Sequence, residues 1–221
     1  MGVDVAVILA GGRAQRLGGI DKTRLDLAGH SALDRVIAAC PPQEVVVVGP
    51  EGPLPHGVHR VLEDPPFGGP LAGLACGVQA LPRLLGPDVA VRDVLVLGGD
   101  MPLLTRALLA RLLAAGDEQA PRGVRTVVDA TGHVQYLCSA WPQDLLTRTL
   151  AAVERPEGGW RDLGLRRLYG ALTPDQLHVL GPVDHEIQDL DTAEDLARMR
   201  ALAGGQDAAA DSERSGGHRQ G

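Results

Sequence analysis

The amino-acid sequence predicts an α/β fold, with a three-layer, doubly wound and mostly parallel sheet that carries an antiparallel extension. Short runs of β-branched and aliphatic residues alternate with glycine-rich loops and segments of helical periodicity, which is the order of β-loop-α units. Hydrophobic residues make up 44% of the chain and aromatic residues only 2%. An aliphatic core of this kind suits a sheet that helices cover on both faces.

The first half of the chain contains three of the predicted strands. The first, Val3–Leu9, is a continuous apolar run that ends in Ala-Gly-Gly and therefore leads into a loop. A helix follows over Ser31–Ala39, where Ser31 is a favourable N-cap. Two further strands, Glu44–Val48 and Val58–Leu62, precede a helix over Pro70–Leu81, whose proline suits the first helical turn.

The second half begins with one more strand-helix pair, Asp93–Leu97 and Thr105–Ala115, and the helix carries a stripe of leucines. The pattern then changes, because Val124–Val128 and Gln135–Trp141 are expected to pair antiparallel. The remaining predicted elements are helices over Gln143–Val153 and Leu163–Tyr169, a strand near Leu177–Leu180, and a last helix over Thr192–Ala203, capped by Asp191 or Thr192.

We expect one folded domain over residues 1–203. Residues 204–221 consist mainly of glycine, alanine, serine, glutamine and charged residues without a hydrophobic period. Such a composition cannot bury enough apolar surface to offset the entropy of folding, so it predicts a disordered tail without a catalytic role.

Composition also excludes several classes of protein. The formal net charge is -7 and lysine and arginine form no cluster, which disfavours nucleic-acid binding. The three cysteines lie far apart and show neither zinc-ligand spacing nor a disulfide framework. No apolar segment approaches the ~20 residues that span a bilayer. The first residues enter a strand pattern directly, and we expect a cytoplasmic protein with no membrane partner.

The strongest functional signal is the loop after the first strand. Gly11 and Gly12 allow backbone amides to approach an anion, and Arg13, Arg16 and Lys22 supply cations within the same segment. The spacing matches neither Gly-x-Gly-x-x-Gly nor the Gly-Lys-Ser/Thr ending of a P-loop. The alternative is an ordinary glycine-rich turn on a solvated surface. The added cations and the second glycine pair favour a phosphate-binding loop.

Two aspartates follow other predicted strands, and both are site candidates. Asp100 comes after an apolar strand and two glycines, where a carboxylate beside a phosphate loop can bind Mg²⁺. Its alternative role is that of a turn or capping residue before proline. Asp64 lies in a Pro- and Gly-rich segment and could accept hydrogen bonds from a base or ribose, although turn chemistry alone explains this segment equally well.

Three further segments carry weaker signals. Asp189 and Asp191 belong to an acidic cluster that either caps the last helix or, through Asp191, adds a second metal contact. The predicted strand near residue 135 carries His133, Gln135, Tyr136 and Ser139. The side chains of His133 and Gln135, and the backbone near Tyr136, could reach a substrate. For the basic stretch Arg161–Arg167 we expect one of two roles, either contact with a phosphorylated acceptor or a solvated helix face.

These motifs, in this order, resemble those of the molybdenum cofactor guanylyltransferases, within the nucleotidyltransferase fold shared with sugar-nucleotide pyrophosphorylases. The similarity extends over residues 3–203. It rests on Leu-Ala-Gly-Gly-x-x-x-Arg-Leu-Gly-Gly-x-Asp-Lys at 9–22, Glu-Asp and Gly-Pro-Leu-Ala-Gly within 63–73, Asp-x-Pro at 100–102, and Asp-x-Asp-Thr-x-Glu-Asp-Leu at 189–196.

The resemblance implies GTP and Mg²⁺, with molybdopterin as the acceptor and pyrophosphate as a product. Molybdoenzymes or other proteins of the cofactor pathway are further partners that it suggests. Among the matching positions, Asp64 would contact the nucleotide and Asp100 would bind Mg²⁺. The loop residues would contact guanine and ribose through Leu9, Ala10 and Gly11, and would hold phosphates through Arg16 and Lys22.

The chain departs from that family at two places. Family members often carry Asn after the second strand, where this chain has Gly49-Pro50, and Asn-x-Asn-Thr where it has Asp189-Leu190-Asp191-Thr192. The aspartate form is similar to relatives that use CTP. A cytidylyltransferase is therefore an alternative, as are enzymes with other small phosphate acceptors. A non-catalytic nucleotide-binding protein that delivers the cofactor is a third hypothesis.

For a nucleotidyltransferase, an acceptor phosphate attacks the α-phosphorus in line and expels pyrophosphate. This chemistry depends on positioning and charge neutralisation. The attacking phosphate is already anionic, so no general base is required, which agrees with the absence of an evident catalytic histidine in the motifs.

Overall fold

A seven-stranded sheet runs through the computed structural model, which describes residues 2–11, 16–17, 20–41, 44–49, 51–114, 122–183, 185–192 and 194–203. The backbone alone is described for residues 16, 17 and 20. The strands are β1 (Val3–Leu9), β2 (Glu44–Val48), β3 (Val58–Val61), β4 (Val91–Gly98), β5 (Val124–Val128), β6 (Val134–Pro142) and β7 (Leu177–Pro182).

The strand order is β3-β2-β1-β4-β6-β5-β7, and β6 runs antiparallel to its two neighbours β4 and β5, while the other pairs are parallel. Leu9 pairs with Val48 on one side and Gly98 on the other. The carboxyl ends of β1, β2 and β4 therefore lie side by side. In open α/β sheets this edge is where ligands bind.

Six helices accompany the sheet among the described residues. They are α1 (Ala32–Ala39), α2 (Pro70–Leu85), α3 (Arg106–Ala114), α4 (Gln143–Val153), α5 (Leu165–Tyr169) and α6 (residues 194–203). Alternate residues of β1 point to opposite faces, as the period of a strand requires. Val5 and Val7 join the cluster that α2, α4 and α5 complete, whereas Ala6 and Ile8 join the cluster of α1 and α3.

The predicted fold class is confirmed, including the antiparallel pair of β5 and β6. The predicted strands agree with the observed ones to within one or two residues at each end. Ser31 caps α1 as expected, because its hydroxyl accepts the Asp34 amide at 3.0 Å. At α6 the cap is Thr192, whose hydroxyl accepts the Asp195 amide at 3.0 Å.

Helices α1, α3 and α6 begin one or two residues after their predicted starts, and two further boundaries differ for reasons of packing. Helix α2 continues past Pro82 to Leu85, because Leu84 and Leu85 still pack against the core and the Pro82 carbonyl accepts the Gly86 amide. Helix α5 begins at Leu165 instead of residue 163. The Leu163 carbonyl accepts the amide of Leu71, in the first turn of α2, at 3.3 Å. Leu163 therefore belongs to the loop that contacts α2.

A buried ion pair joins two strands of the sheet. Arg125 on β5 is 2% exposed, and its Nη2 donates to Asp93 Oδ1 on β4 at 2.7 Å, while its Nε donates to the Leu112 carbonyl at 2.8 Å. This pair connects β4, β5 and the end of α3. The sequence pattern gave no signal for it, since Arg125 resembles a surface residue at the start of a strand.

The three cysteines Cys40, Cys76 and Cys138 are free. Within the ranges that the structure describes, no helix has both the length and the apolar character required to cross a bilayer.

Candidate active site

The loop that follows β1 is held from both sides by backbone contacts. The Ala10 amide donates to the Val48 carbonyl at 2.8 Å, and the Gly99 amide donates to the Leu9 carbonyl at 2.9 Å. A side chain at residue 49 would have its Cβ 2.9 Å from the carbonyl carbon of Ala10. Gly49 is therefore required for this approach. These contacts fix the backbone at the start of the predicted phosphate loop.

Lys22 emerges from the same loop and is buried. Asp21 caps the short 3₁₀ turn Lys22–Arg24 by accepting the Thr23 amide at 3.0 Å, and this turn directs Lys22 inward, where it is 6% exposed. Its Nζ donates to Asp191 Oδ1 at 2.7 Å. The Asp191 side chain is 67% exposed, so this ion pair lies at the wall of an open cleft.

Asp100 lies close to the same pair. The Asp100 carbonyl accepts the Leu190 amide at 3.0 Å, and Leu190 is fully buried beside Met199 of α6. This contact fixes the segment that carries Asp189 and Asp191 against the end of β4. Residues that are distant in sequence are thereby brought together at the edge where β1 and β4 end.

The carboxyl groups of this cluster repel one another. Burial is the largest cause that raises the pKa of Asp100, and the charge of Asp191 raises it further, while Lys22 lowers it. The residue Asp189 is exposed, yet desolvation of its carboxyl and the charges of Asp100 and Asp191 raise its pKa to about 7. A bound cation would relieve this repulsion.

The arrangement suits a metal ion that is shared with a substrate. Across the described ranges, no three His, Cys, Asp or Glu side chains are placed so that the protein alone could hold a metal. Mg²⁺ commonly binds one or two carboxylates and completes its coordination with phosphate oxygens and water. The donor set of Asp100 and Asp191 fits this mode of binding.

A cavity of about 400 Å³ opens beside this cluster. Its walls come from the turn between β5 and β6, from the segment 187–191 and from the start of α6. Gln188 lies in this wall, and its buried Oε1 has no hydrogen-bond partner among the described residues. The polar lining residues are Asp129, Thr131, Gln135, Gln188, Asp189, Asp191, Asp195 and Arg198.

Asp64 lies elsewhere on the same edge of the sheet. It is exposed, follows β3, and lines a second cavity of about 270 Å³ together with Glu63. The peptide bond from Asp64 to Pro65 is cis. No hydrogen bond or ion pair between described residues connects Asp64 with Lys22 or Asp100. Its nucleotide contact stays a prediction.

Part of the predicted phosphate loop lies outside the described residues. This applies to Gly12 and Arg13, and to the side chain of Arg16, whose backbone pairs with Asp21 in a short hairpin. The roles expected for these residues stay predictions. Leu9 and Ala10 are buried, and Gly11 is half-buried at the start of the loop.

The other sequence-based candidates separate into different environments. Gln135 lines the larger cavity, whereas His133 is exposed in the turn, where Thr131 and Asp129 contact it. Tyr136 packs against Tyr169, and Ser139 is buried and accepts the Trp141 indole N–H at 3.1 Å. Arg166 and Arg167 are exposed on α5, while Arg161 lines the smaller cavity.

Sequence reasoning missed several residues of the cleft and left one signal unused. Four polar residues line the larger cavity and stood in no motif, namely Asp129, Thr131, Gln188 and Arg198. The unused signal was that Lys22 is the only lysine in the chain, and every other permanent cation of a side chain is an arginine. Lysine carries a compact charge on a flexible stem. The occurrence of the only lysine in this loop therefore indicates that the loop requires a lysine and not an arginine.

Comparison with known proteins identifies the family. The model of the MobA-like NTP transferase domain matches residues 6–176 of this chain. The chain belongs to this family. It is a nucleotidyltransferase, as the relatives of the MobA-like NTP transferase family are.

Two relatives of this MobA-like chain cover most of its length. A molybdenum cofactor guanylyltransferase of Cereibacter sphaeroides is 30% identical over 201 residues, which are 89% of this chain and 95% of the relative. A molybdenum cofactor guanylyltransferase of Acidiphilium cryptum (strain JF-5) is 34% identical over 172 residues, which are 73% of this chain and 81% of the relative.

The fold is also found in solved structures. The crystal structure of 2-C-methyl-D-erythritol 4-phosphate cytidylyltransferase from Thermus thermophilus is similar with a TM-score of 0.62 at 19% identity, and the match covers 92% of this chain and 99% of that chain. This likeness confirms the nucleotidyltransferase fold of the MobA-like family.

Proposed function

We propose that this nucleotidyltransferase transfers GMP from GTP to a molybdopterin-type acceptor and releases pyrophosphate. The observation that carries the proposal is the position of Lys22: the only lysine of the chain is buried beside Asp191 and Asp100, where β1 and β4 end. The names of the two relatives support guanine and the molybdenum cofactor as the substrate classes.

In this reaction, an oxygen of the acceptor phosphate forms a bond to the α-phosphorus of GTP. The bond between the α-phosphorus and the oxygen that bridges to the β-phosphate breaks, and its electrons leave with pyrophosphate. Lys22 neutralises charge on the triphosphate as that charge moves to the leaving group. A phosphate oxygen would share the Lys22 ammonium with Asp191 or replace that carboxylate.

The metal is proposed to be Mg²⁺. Nucleotidyltransferases of this kind generally use a divalent metal ion. Asp100 and Asp191 would hold it, because their carboxyl groups lie close enough to repel each other. When bound, Mg²⁺ neutralises charge on the nucleotide phosphates. Removal of the metal with EDTA is therefore expected to abolish pyrophosphate release.

The larger cavity is proposed to receive the acceptor. It lies directly beside Asp191, so a molecule bound there would present its phosphate to the cleft that contains Lys22. The free oxygen of Gln188 and the carboxylate of Asp129 are hydrogen-bond acceptors, which suit the amino and ring N–H groups of a pterin. The expected setting of this reaction is the cytoplasm, and molybdoenzymes are the expected recipients of the product.

Pyrophosphate release tests the proposal. The protein is incubated with Mg²⁺ and GTP, CTP, ATP or UTP, each with and without molybdopterin. We expect release only with GTP and molybdopterin together. Lys22→Ala and Asp100→Ala should each reduce the rate at least about 100-fold, since removing one stabilising group of a transition state has effects of this size.

Two variants serve as controls for this measurement. Lys22→Arg keeps the charge and should retain more activity than Lys22→Ala, although the guanidinium differs in shape. Arg148→Ala removes an exposed cation from α4, and its rate should equal that of the native protein. A higher rate with CTP than with GTP would establish a cytidylyltransferase instead. Nucleotide binding without pyrophosphate release would establish the non-catalytic alternative.

A further inference from the structure

The 3₁₀ turn that carries Lys22 contains a second cation, Arg24, which has no part in the proposed reaction. Arg24 is the last residue of this turn, and its side chain contacts a different part of the chain. Lys22 Nζ donates to Asp191, whereas Arg24 Nη2 donates to the carbonyl of Glu51 at 2.8 Å. Since Glu51 follows β2, the turn is connected on one side to Asp191 and on the other to the loop between β2 and β3.

Gly52 allows the Arg24 guanidinium to lie against this loop. A Cβ at residue 52 would overlap Nη2 and Cζ of Arg24. The guanidinium therefore occupies the space that any other side chain at this position would need. The φ angle of Gly52 is 155°, a conformation that residues with a side chain rarely adopt. The backbone angle and the missing side chain both fit the loop to Arg24.

A second arginine, Arg60 on β3, holds the same loop. Its Nη2 donates to the Gly52 carbonyl at 2.7 Å. Burial lowers the pKa of the Arg60 guanidinium, and the charge of Arg24 lowers it further, while the charge of Glu51 opposes this effect. Two guanidinium groups that repel each other would move apart in the absence of fixed partners. The carbonyls of Glu51 and Gly52 provide those partners, so the contact of Arg24 with the loop is specific.

Asp21 fixes the other end of the Arg24 guanidinium. Its Oδ1 accepts the amide and the hydroxyl of Thr23, at 3.0 and 2.7 Å, and thereby caps the turn. Its Oδ2 lies 3.6 Å from Arg24 Nε. Because Nε and Nη2 belong to one rigid plane, Asp21 and Glu51 together determine where that plane lies. Arg24 is thus a stiff link between the cap of the turn and the loop after β2.

This link gains importance when a substrate reaches Lys22. In the proposed reaction a phosphate oxygen shares the Lys22 ammonium with Asp191 or replaces that carboxylate. The turn then loses part of its attachment to the segment that contains Asp191, although Leu25 still packs beside α6. The hydrogen bond from Arg24 to Glu51 does not involve the ammonium and persists in both states.

We propose that Arg24 is a positioning residue, which holds the turn of Lys22 against the loop after β2 and keeps the lysine ammonium in the candidate active site. Arg24 acts through Lys22 and does not itself contact the reacting atoms. The inference rests on the role of Lys22 in the proposed function. The attachment of the turn can nevertheless be measured without any turnover.

Acylation of Lys22 tests the proposal, because this residue is the only lysine of the chain. The full chain is treated with the N-hydroxysuccinimide ester of acetic acid, without nucleotide, and mass spectrometry follows labelling of Lys22. The α-amine at the start of the chain serves as the internal reference. Lys22 is 6% exposed, so it reacts when the turn opens. Loss of one hydrogen bond that holds the turn closed should raise the labelling rate of Arg24→Ala about fivefold.

Two glycine variants separate the loop contact from other effects of Arg24. Gly52→Ala retains Arg24, but its methyl group displaces the guanidinium, so it should raise the Lys22 labelling rate as much as Arg24→Ala does. The double variant should label no faster than either single one, since both remove the same contact. Gly57→Ala is the matched control. It lies in the same loop with a φ of 84° and has no atom within 4 Å of its Cβ position, so its labelling rate should equal that of the native chain.

The rate of pyrophosphate release provides a second readout. Arg24→Lys keeps a charged donor on a long side chain and should retain more activity than Arg24→Ala. In a chain that already carries Lys22→Ala, the added Arg24→Ala should lower the rate no further, because a positioning residue has no effect once its target is gone. A role in general stability would instead lower the rate in both backgrounds.

Three results would overturn the proposal. In the first, Lys22 of Arg24→Ala is labelled no faster than in the native chain. In the second, Gly52→Ala is labelled no faster than Gly57→Ala, which would show that the loop contact does not hold the turn. In the third, Arg24→Ala causes a further loss of rate in the Lys22→Ala background. If the proposed reaction itself fails, the labelling rates still decide whether Arg24 holds the turn.

Discussion

Gly49 shows that close backbone contacts determine part of the candidate active site. The polypeptide at Ala10 and Gly11 passes directly over residue 49, at 2.9 to 3.1 Å from the position of a Cβ. These neighbours are backbone atoms, which cannot rotate away as the end of a flexible side chain can. The absence of a side chain at residue 49 therefore sets where the phosphate loop begins.

We expect Gly49→Ala to displace that loop. The added methyl group should lower the free energy of unfolding by about 1–3 kcal/mol, as overpacking at a tight contact does, and should weaken nucleotide binding. Urea denaturation and nucleotide titration measure the two effects. Gly164→Ala is the matched control, because no atom lies within 4 Å of its Cβ position, and its stability should change little. Equal behaviour of both variants would show that the Gly49 contact is unimportant.

At the same scale, the sequence revealed some residues of the site and concealed others. Lys22 and Asp100 were predictable, because each follows an apolar strand and a glycine pair. The partner of Lys22 was not, since Asp191 lies 169 residues away and a capping role explained it equally well. Arg161 stood in a basic stretch that resembled a solvated surface. Only the three-dimensional packing buries its guanidinium nitrogen.

At the scale of elements, the Arg125–Asp93 pair supports the sheet where β4 and β5 flank the antiparallel strand β6. Both residues are nearly inaccessible, at 2% and 4% exposed. The loss of one partner would leave a buried charge without compensation. Such a change is far more costly than the loss of an ion pair in water.

We expect Asp93→Ala to lower the free energy of unfolding by about 3–5 kcal/mol. Asp144→Ala is the control, because it removes an ion pair with Arg148 in which both side chains are exposed, and should cost no more than about 1 kcal/mol. Urea denaturation of both variants gives the comparison. A cost for Asp93→Ala that does not exceed that of Asp144→Ala would contradict the importance of the buried pair.

The regular elements were predictable because their patterns are local. Continuous apolar runs marked β1, β2 and β4, and capping residues marked the start of α1. Features that depend on distant contacts were not predictable in this way. The extension of α2 beyond Pro82 is decided by packing of Leu84 and Leu85 against the core. Residues 16–17 pair with 20–21, and residues 26–27 pair with 30–31, and these strands of two residues are too short to show a periodic pattern.

At the scale of the whole molecule, the sequence predicts that folding is complete without residues 204–221. We expect a chain that ends at Ala203 to keep the thermal midpoint and the rate of pyrophosphate release of the full chain. Helix α6 must remain in this truncation, because Met199 and Ala203 are fully buried. A chain shortened before Thr192 should unfold at a lower temperature. A loss of activity on removing 204–221 alone would show that the tail has a role.

Guanylyl transfer itself is tested most directly by following the α-phosphate of GTP. The protein is incubated with Mg²⁺, molybdopterin and GTP labelled at either the α- or the γ-phosphate, and the pterin product is separated and counted. We expect the α-label to appear in the pterin product and the γ-label in pyrophosphate, and both transfers should be lost in Lys22→Ala. A γ-label in the pterin product, or no label in it from GTP, would contradict guanylyl transfer.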